Sequence, residues 1–209
     1  MTHMDIPLAR AWVAAVAAAV AEHADYLTQL DSAIGDADHG VNLHRGFTAV
    51  VAALDGYEAA TVGDVFVRTG STLVSRVGGA AGPLYGTAFR AIGKALPEST
   101  VEPEALSVAL KAGLAGLQKL GAAVPGDKTI VDAYAPAVAA YDGALADGGD
   151  LAAAASAAAL AAEEGMKATT AMQARKGRAS YLGPRSVGHQ DPGATSTWLI
   201  FRSLAEVSG

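Results

Sequence analysis

The fold is indicated by the apolar spacing in one N-terminal stretch, WVAAVAAAVAEHADYLTQL, which covers residues 12–30. Its facing side chains advance in steps of 4, 4, 3, 4 and 3 residues, at Trp12, Val16, Val20, His23, Leu27 and Leu30. Steps of three and four place side chains on one face of an α-helix, whereas a half-buried strand needs steps of two. We therefore predict one continuous helix over this stretch.

The same spacing recurs along the rest of the chain. Five further stripes cover residues 43–54, 62–73, 85–96, 106–117 and 130–145, and an alanine-rich segment from 151 to about 174 and a last segment at 195–207 follow as further predicted helices. Thr61 and Asp64 have the spacing of a capping pair, Pro83 and Pro103 suit first helical turns, and Asp191-Pro192 suits a helix start. Pro136 lies inside a stripe and predicts a kink or a helix boundary there. The sequence thus predicts an all-α bundle of eight helices.

Composition limits the class of protein. The 209 residues carry a formal net charge of −6, with 51% hydrophobic and 17% charged residues. This balance favours a single domain over residues 1–209 and argues against a nucleic-acid partner. Cysteine is absent, which excludes disulfides and thiolate metal sites, so we expect a cytoplasmic protein. The alanine-rich runs at 12–21 and 151–162 are shorter than the roughly 20 residues of a membrane span, so no membrane partner is expected.

An acidic segment, DSAIGDADHGVN at residues 31–42, is poor helix material beside a predicted helix start. Asp31, Asp36 and Asp38 supply three carboxylates, the hard oxygen ligands that suit Mg²⁺ or Ca²⁺. A calcium-binding EF-hand is excluded because Val41 and Phe47 stand where Gly and Glu are required. Three aspartates under-coordinate Mg²⁺, so phosphate or water would complete the shell. The alternative is a solvated acidic turn that caps the following helix.

Two glycine-rich segments also precede predicted helices. GGAAGP at residues 78–83 suits an anion site at a helix start, or equally a tight turn between packed helices. GAAVPGDKT at residues 121–129 nearly matches the phosphate-binding loop, but Asp127 is an insertion and no strand precedes it. We exclude that loop class and retain the segment as a candidate lid on a nucleotide.

A cationic segment, ARKGRASYLGPRSVGHQDPG, covers residues 174–193 and is predicted to be a long loop without structure of its own. Arg175, Lys176, Arg178 and Arg185 place four of the chain's 15 cationic residues within 11 positions. Arg178 and Arg185 suit bidentate contacts to phosphate, while a solvated basic loop is the alternative. Together the four segments have the components that hold a nucleotide diphosphate through a divalent metal.

These motifs, in this order, resemble the nucleotide-binding L subunit of dihydroxyacetone kinase. The resemblance lies in GDADHG (35–40), GGAAGPLYG (78–86), GDKT (126–129), and ARKGRASYLG (174–183) with GHQDPG (188–193). It implies an antiparallel eight-helix barrel, tightly bound ADP or ATP at one end, and two Mg²⁺ ions on Asp31, Asp36 and Asp38. It also implies nucleotide contacts at His39, Gly40, Val41, Asn42, Gly79, Ala80, Ala81, Gly121, Thr129, Ile130, Arg178, Asp191, Pro192 and Gly193. The family commonly has Ser at position 81 and Met at position 130. Ala81 lacks the hydroxyl donor but keeps the backbone N–H, so we expect weaker rather than absent nucleotide binding.

The activity implied by the resemblance is phosphoryl relay. A phosphohistidine on an M subunit would donate to bound ADP, and the nucleotide would pass the group to dihydroxyacetone on a K subunit. We expect His39 and His189 to orient ligands rather than to carry phosphate. Three alternatives stay open: an L module of an ATP-dependent kinase for dihydroxyacetone or a related small ketose or sugar acid, a nucleotide-loaded protein that docks on a transcriptional regulator, and a helical scaffold without nucleotide.

Overall fold

Nine α-helices make up most of residues 3–209, the part of the chain that this computed structural model describes. They are α1 (Ile6–Glu22), α2 (Ala24–Ile34), α3 (His39–Leu54), α4 (Val62–Arg76), α5 (Ala81–Lys94), α6 (Pro103–Gly121), α7 (Ile130–Ala146), α8 (Leu151–Ala168) and α9 (Pro192–Ser208). Two-residue strands β1 (Met4–Asp5) and β2 (Thr100–Val101) pair antiparallel, and 3₁₀ helices cover Thr169–Ala171 and Arg178–Ser186. The strands are too short to show any periodicity, which is why the sequence did not predict them.

Eight of these helices form a closed ring. α1 contacts α3, each helix from α3 to α8 contacts the next, and α9 contacts α1. Aromatic side chains fill the interior: Trp12 is fully buried and meets Phe66 edge-on, with 5.3 Å between ring centroids. α2 stands outside the ring, packed on α3, α9 and the 3₁₀ helix Arg178–Ser186. The predicted all-α fold is confirmed, and the ring is the expected eight-helix barrel.

The prediction of one helix over residues 12–30 is wrong. The chain bends by 63° between α1 and α2, and His23 joins them with a non-helical backbone. A single joining residue leaves the three-and-four spacing intact, so the pattern carries no sign of the bend. Among residues 3–209, no single helix is both long enough and apolar enough to span a membrane. Taken together, α1 and α2 meet both criteria, but they form a bent pair.

Most of the predicted helix ends are confirmed. Thr61 and Asp64 form a reciprocal capping box, and Asp191 caps α9 by accepting a hydrogen bond from the Ala194 amide at 2.7 Å. A kink or a boundary was predicted at Pro136, and of the two the boundary is wrong, because α7 continues through the proline. A Cβ at Gly165 of α8 would lie only 2.2 Å from the Asp132 carbonyl oxygen, so glycine lets α7 and α8 pack closely beside the proline.

Every second helix of the barrel starts at the same end of the molecule. The segments that precede α3, α5, α7 and α9 all contribute residues to one cavity. This alternation is what an antiparallel barrel requires, and it brings the four segments singled out from the sequence to one place.

Candidate functional site

The cavity at this end has a volume of about 290 Å³, close to the lower end of the range of small-molecule sites. Most of the predicted site residues line it: Asp31, Asp36, Asp38, His39, Asn42, Gly79, Ala80, Ala81, Gly121, Thr129, Ile130, Arg178, Asp191, Pro192 and Gly193. Residues up to 162 positions apart in sequence, Asp31 and Gly193, are therefore brought together, as the order of the motifs predicted.

Gly40 and Val41 do not line the cavity. A Cβ at Gly40 would lie 1.9 Å from the Ala24 carbonyl oxygen, so this glycine serves the close approach of α2 and α3. Val41 is 57% exposed on the outer face of the same turn. The motif around them belongs to the site, but these two side-chain positions do not form its wall.

The three predicted metal ligands form one cluster. One carboxylate oxygen from each of Asp31, Asp36 and Asp38 lies within 4.8 Å of the others. The buried Asp31 fixes the turn, because its Oδ2 accepts hydrogen bonds from the backbone amides of Asp38 (2.9 Å) and His39 (3.2 Å). Asp31 thereby also caps the first amides of α3, as the alternative of a capping turn predicted, whereas Asp38 makes no side-chain capping bond there. This donor set suits Mg²⁺.

Four helix N-termini surround the same space, and each carries a partial positive charge that favours an anion. Side chains of Thr129 and Asp191 cap α7 and α9, but no side chain caps α5. Gly79 precedes α5 with a left-handed φ of 67°, which glycine adopts without strain. A Cβ at Gly82 would lie 2.3 Å from the Val77 carbonyl oxygen. The glycine-rich segment is thus both a tight turn and an uncapped helix start.

His39 joins the acidic turn to α9. Its Nε2 lies 2.9 Å from Ser196 Oγ, and burial lowers the pKa of the imidazole to about 4, against the opposing effect of Asp31 and Asp38. The ring is therefore neutral at neutral pH. Ser196 Oγ lies 2.7 Å from the Tyr85 hydroxyl, which also donates to the Gly193 carbonyl at 2.9 Å. This network fixes the starts of α3 and α9 relative to α5.

The cationic segment is not the unstructured loop that we predicted, since 3₁₀ turns cover Arg178–Ser186, interrupted by a kink at Gly183. Its Ala174 and Ala179 are buried against Ile34 at the end of α2. Arg178 Nε lies 2.8 Å from Asp36 Oδ2, and both side chains are exposed, so the pair contributes little stability but places a guanidinium beside the metal ligands. Arg185 is exposed and does not line the cavity.

Sequence reasoning missed several lining residues. Lys128 lines the cavity although it is only 1% exposed, and the near match to the phosphate-binding loop was the one signal for it. Lys176, Gly177 and Ala179 line the wall beside Arg178. An apolar wall comes from Ile34, Leu84, Leu117 and Ala123. No charge or spacing distinguishes these apolar residues from ordinary core positions, so only the structure identifies them.

The barrel is known in solved structures. The chain is similar to the dihydroxyacetone kinase of C. freundii, with a TM-score of 0.72 and 26% identity, covering 99% of this chain and 36% of that one. A structure of the same kinase in complex with AMP-PNP and Mg²⁺ matches at a TM-score of 0.72 and 27% identity, covering 99% and 35%. The chain thus spans about a third of that kinase.

The family follows from a direct match: the model of the DAK2 domain matches residues 33–206, so the chain belongs to the DAK2 domain family. It is 44% identical over 182 residues to the PEP-dependent dihydroxyacetone kinase ADP-binding subunit DhaL of Escherichia coli, covering 87% of each chain. It is 42% identical over 188 residues to a similarly named subunit of Listeria innocua, covering 90% of this chain and 89% of that one. The human triokinase/FMN cyclase is 34% identical, covering 88% of this chain and 32% of that protein. The resemblance read from the motifs is confirmed.

Proposed function

We propose that this chain is the ADP-binding phosphotransferase subunit of a dihydroxyacetone kinase. A phosphoryl group would pass from a phosphohistidine on an M subunit, through the nucleotide held here, to dihydroxyacetone on a K subunit. The observation that carries the proposal is a cluster of three carboxylates facing four helix N-termini in one cavity. It is supported by 39–44% identity to three subunits named for ADP binding.

Asp31, Asp36 and Asp38 would hold the Mg²⁺ ions. Three carboxylates within 4.8 Å repel one another, and a divalent cation relieves that repulsion. Bound Mg²⁺ supplies neutralisation of phosphate charge in phosphoryl transfer. The turn is already held by the two backbone bonds to Asp31, so little reorganisation is required on binding.

The remaining lining residues position the nucleotide. The uncapped start of α5 at Ala80 and Ala81 would donate backbone N–H groups to phosphate, and Arg178, which pairs with Asp36, would add its guanidinium. Neutral His39 would orient a ligand oxygen by a hydrogen bond. Leu84, Leu117 and Ile130 form an apolar wall suited to the base, next to Gly121. Phosphoryl transfer depends on positioning and charge, so no protein nucleophile is required.

A second candidate is an L module of a kinase that uses free ATP. It is favoured by the similarity to triokinase/FMN cyclase proteins and to a kinase structure containing AMP-PNP. The two candidates differ in the phosphoryl donor. The ADP-loaded chain mixed with a phosphorylated M subunit forms ATP in the first case, and forms none in the second.

Capture of a K subunit is expected in the first case, whereas capture of a transcriptional regulator alone would favour the regulatory alternative. A cytoplasmic location is part of this proposal.

The binding proposal is tested by ligand-dependent stability. Wild-type protein at ADP and Mg²⁺ concentrations 100-fold above the dissociation constant gains about 2.7 kcal/mol of unfolding free energy. The double variant Asp36→Asn, Asp38→Asn loses this gain, because the carboxylates that hold the metal are gone. Asp147→Asn is the matched control, since Asp147 is exposed at the opposite end of the barrel, and it retains the gain. A double variant that responds like wild type would contradict the proposal.

A further inference from the structure

Lys128 makes an unusual set of contacts for a lysine. Its side chain is 1% exposed, and its Nζ donates hydrogen bonds to the backbone carbonyls of Met172 (3.1 Å), Ser186 (2.7 Å) and His189. An ammonium group has three donors, and here all three are occupied. Lys128 therefore lines the cavity without an N–H left over for a phosphate oxygen.

The three carbonyls belong to residues 172–189, which overlap the cationic segment (174–193) and which we call the cationic loop. Met172 stands at its start, while Ser186 and His189 stand at its end, so a single ammonium group joins the two ends. The middle of the loop contributes Lys176, Gly177, Arg178 and Ala179 to the cavity wall. The hold on its two ends, to which the bond from the Ala174 amide to Ser186 Oγ (2.9 Å) also contributes, therefore bears on how firmly that wall covers the cavity.

The backbone around Lys128 is arranged for this contact. Lys128 has a φ of 63°, the left-handed region that costs a non-glycine residue free energy. The preceding residue, Asp127, accepts a hydrogen bond from the Arg175 amide through its carbonyl at 3.0 Å, and its Oδ2 accepts from the Val124 amide at 2.9 Å. The segment before α7 thus hydrogen-bonds to the cationic loop through the Asp127 carbonyl and through the Lys128 side chain.

We propose that Lys128 is a positioning residue that fastens the cationic loop over the cavity and so slows nucleotide exchange. The effect on exchange rests on the proposed function, whereas the fastening rests on the contacts alone. A fastened loop obstructs both entry and exit, so releasing it accelerates association and dissociation together. Loss of a direct nucleotide contact would accelerate dissociation only.

Lys128→Met tests the fastening, because methionine keeps the length of the side chain and removes the ammonium group. Lys94→Met is the matched control, since Lys94 is exposed in the last turn of α5 at the opposite end. Arg175, Lys176, Arg178 and Arg185 provide trypsin sites in the loop, and mass spectrometry locates the cuts. We expect cleavage in the loop to accelerate by at least about tenfold, the factor that loss of one charge-assisted hydrogen bond already produces. Lys94→Met is expected to match wild type.

Exchange is followed by stopped-flow fluorescence with a fluorescent ADP analogue and Mg²⁺. In Lys128→Met we expect both rate constants to rise; unchanged cleavage, or faster dissociation with unchanged association, would overturn the proposal. Hydrogen exchange separates local release from general destabilisation, because faster exchange in every helix would also overturn it. A wild-type protein that binds no analogue would overturn the proposed function and with it the effect on exchange, while proteolysis still decides the fastening.

Discussion

Asp191 should make the stability of the protein depend on pH in a direction unusual for an aspartate. It is buried at the start of α9, where its Oδ2 accepts a hydrogen bond from the Ala194 amide at 2.7 Å. Burial raises the pKa of this carboxyl from 3.8 to about 7; Asp132 acts in the same direction, and Lys128 opposes it. The folded protein therefore binds a proton at pH values where the unfolded chain has released it.

The size of the effect follows from the two pKa values. Where the folded state binds one more proton than the unfolded state, the free energy of unfolding falls by 1.36 kcal/mol per pH unit. Stability from this group is fully present below pH 3.8 and is lost as the pH rises to about 7. Between pH 5 and pH 8 the loss is about 2.7 kcal/mol, because two of those units lie below the folded pKa.

Asp191→Asn isolates this term, because asparagine keeps the capping oxygen and has no charge to bury. We expect the variant to gain about 2.7 kcal/mol relative to wild type between pH 5 and pH 8, measured by urea unfolding without nucleotide or Mg²⁺. Asp150→Asn is the matched control: Asp150 caps α8 through the Ala153 amide, and that hydrogen bond lowers the pKa of its carboxyl. Asp150 is ionised above pH 5 in both the folded and the unfolded protein, so the Asp150→Asn variant should show no such gain. If the free energies of unfolding of wild type and Asp191→Asn differ by the same amount at pH 5 and at pH 8, the reasoning is refuted.

Three further predictions concern packing and binding. Gly40→Ala should destabilise the protein by about 1–3 kcal/mol or more in urea unfolding, because the added Cβ would lie 1.9 Å from the Ala24 carbonyl oxygen; unchanged stability would contradict this packing role. Tyr85→Phe should cost about 1–3 kcal/mol in the same assay, since the hydroxyl bonds to Gly193 are lost within a buried network; a neutral effect would contradict it. Ala81→Ser adds a hydroxyl donor at the start of α5 and should tighten ADP binding in calorimetric titration, whereas weaker or equal binding would show that position 81 lies away from phosphate.

The helices were predictable because their information is local. Steps of three and four residues identified most of the stretches that became barrel helices, alanine content identified α8, and the capping pair at Thr61 and Asp64 marked a start correctly. The bend at His23 was not predictable, because one joining residue preserves the spacing. The continuation of α7 through Pro136 depends on packing against α8, which a single stretch of sequence does not contain.

The site divides in the same way. The acidic cluster was predictable because Asp31, Asp36 and Asp38 lie within eight residues of one another. The role of Lys128 depends on carbonyls 44 to 61 residues further along the chain, so no local pattern reveals it. Every residue carries a backbone carbonyl, so a sequence motif cannot indicate which carbonyls will accept these hydrogen bonds. Gly40 shows the converse, since a residue inside a functional motif serves packing instead.

The most direct test of the account is to denature the purified protein and to identify the released nucleotide and metal by ion-exchange chromatography and elemental analysis. We predict near-stoichiometric ADP with about two Mg²⁺ per chain, because the three carboxylates and the helix starts require both together. A protein that releases neither, and whose stability does not respond to added ADP and Mg²⁺, would contradict the central claim that this cavity is a nucleotide site.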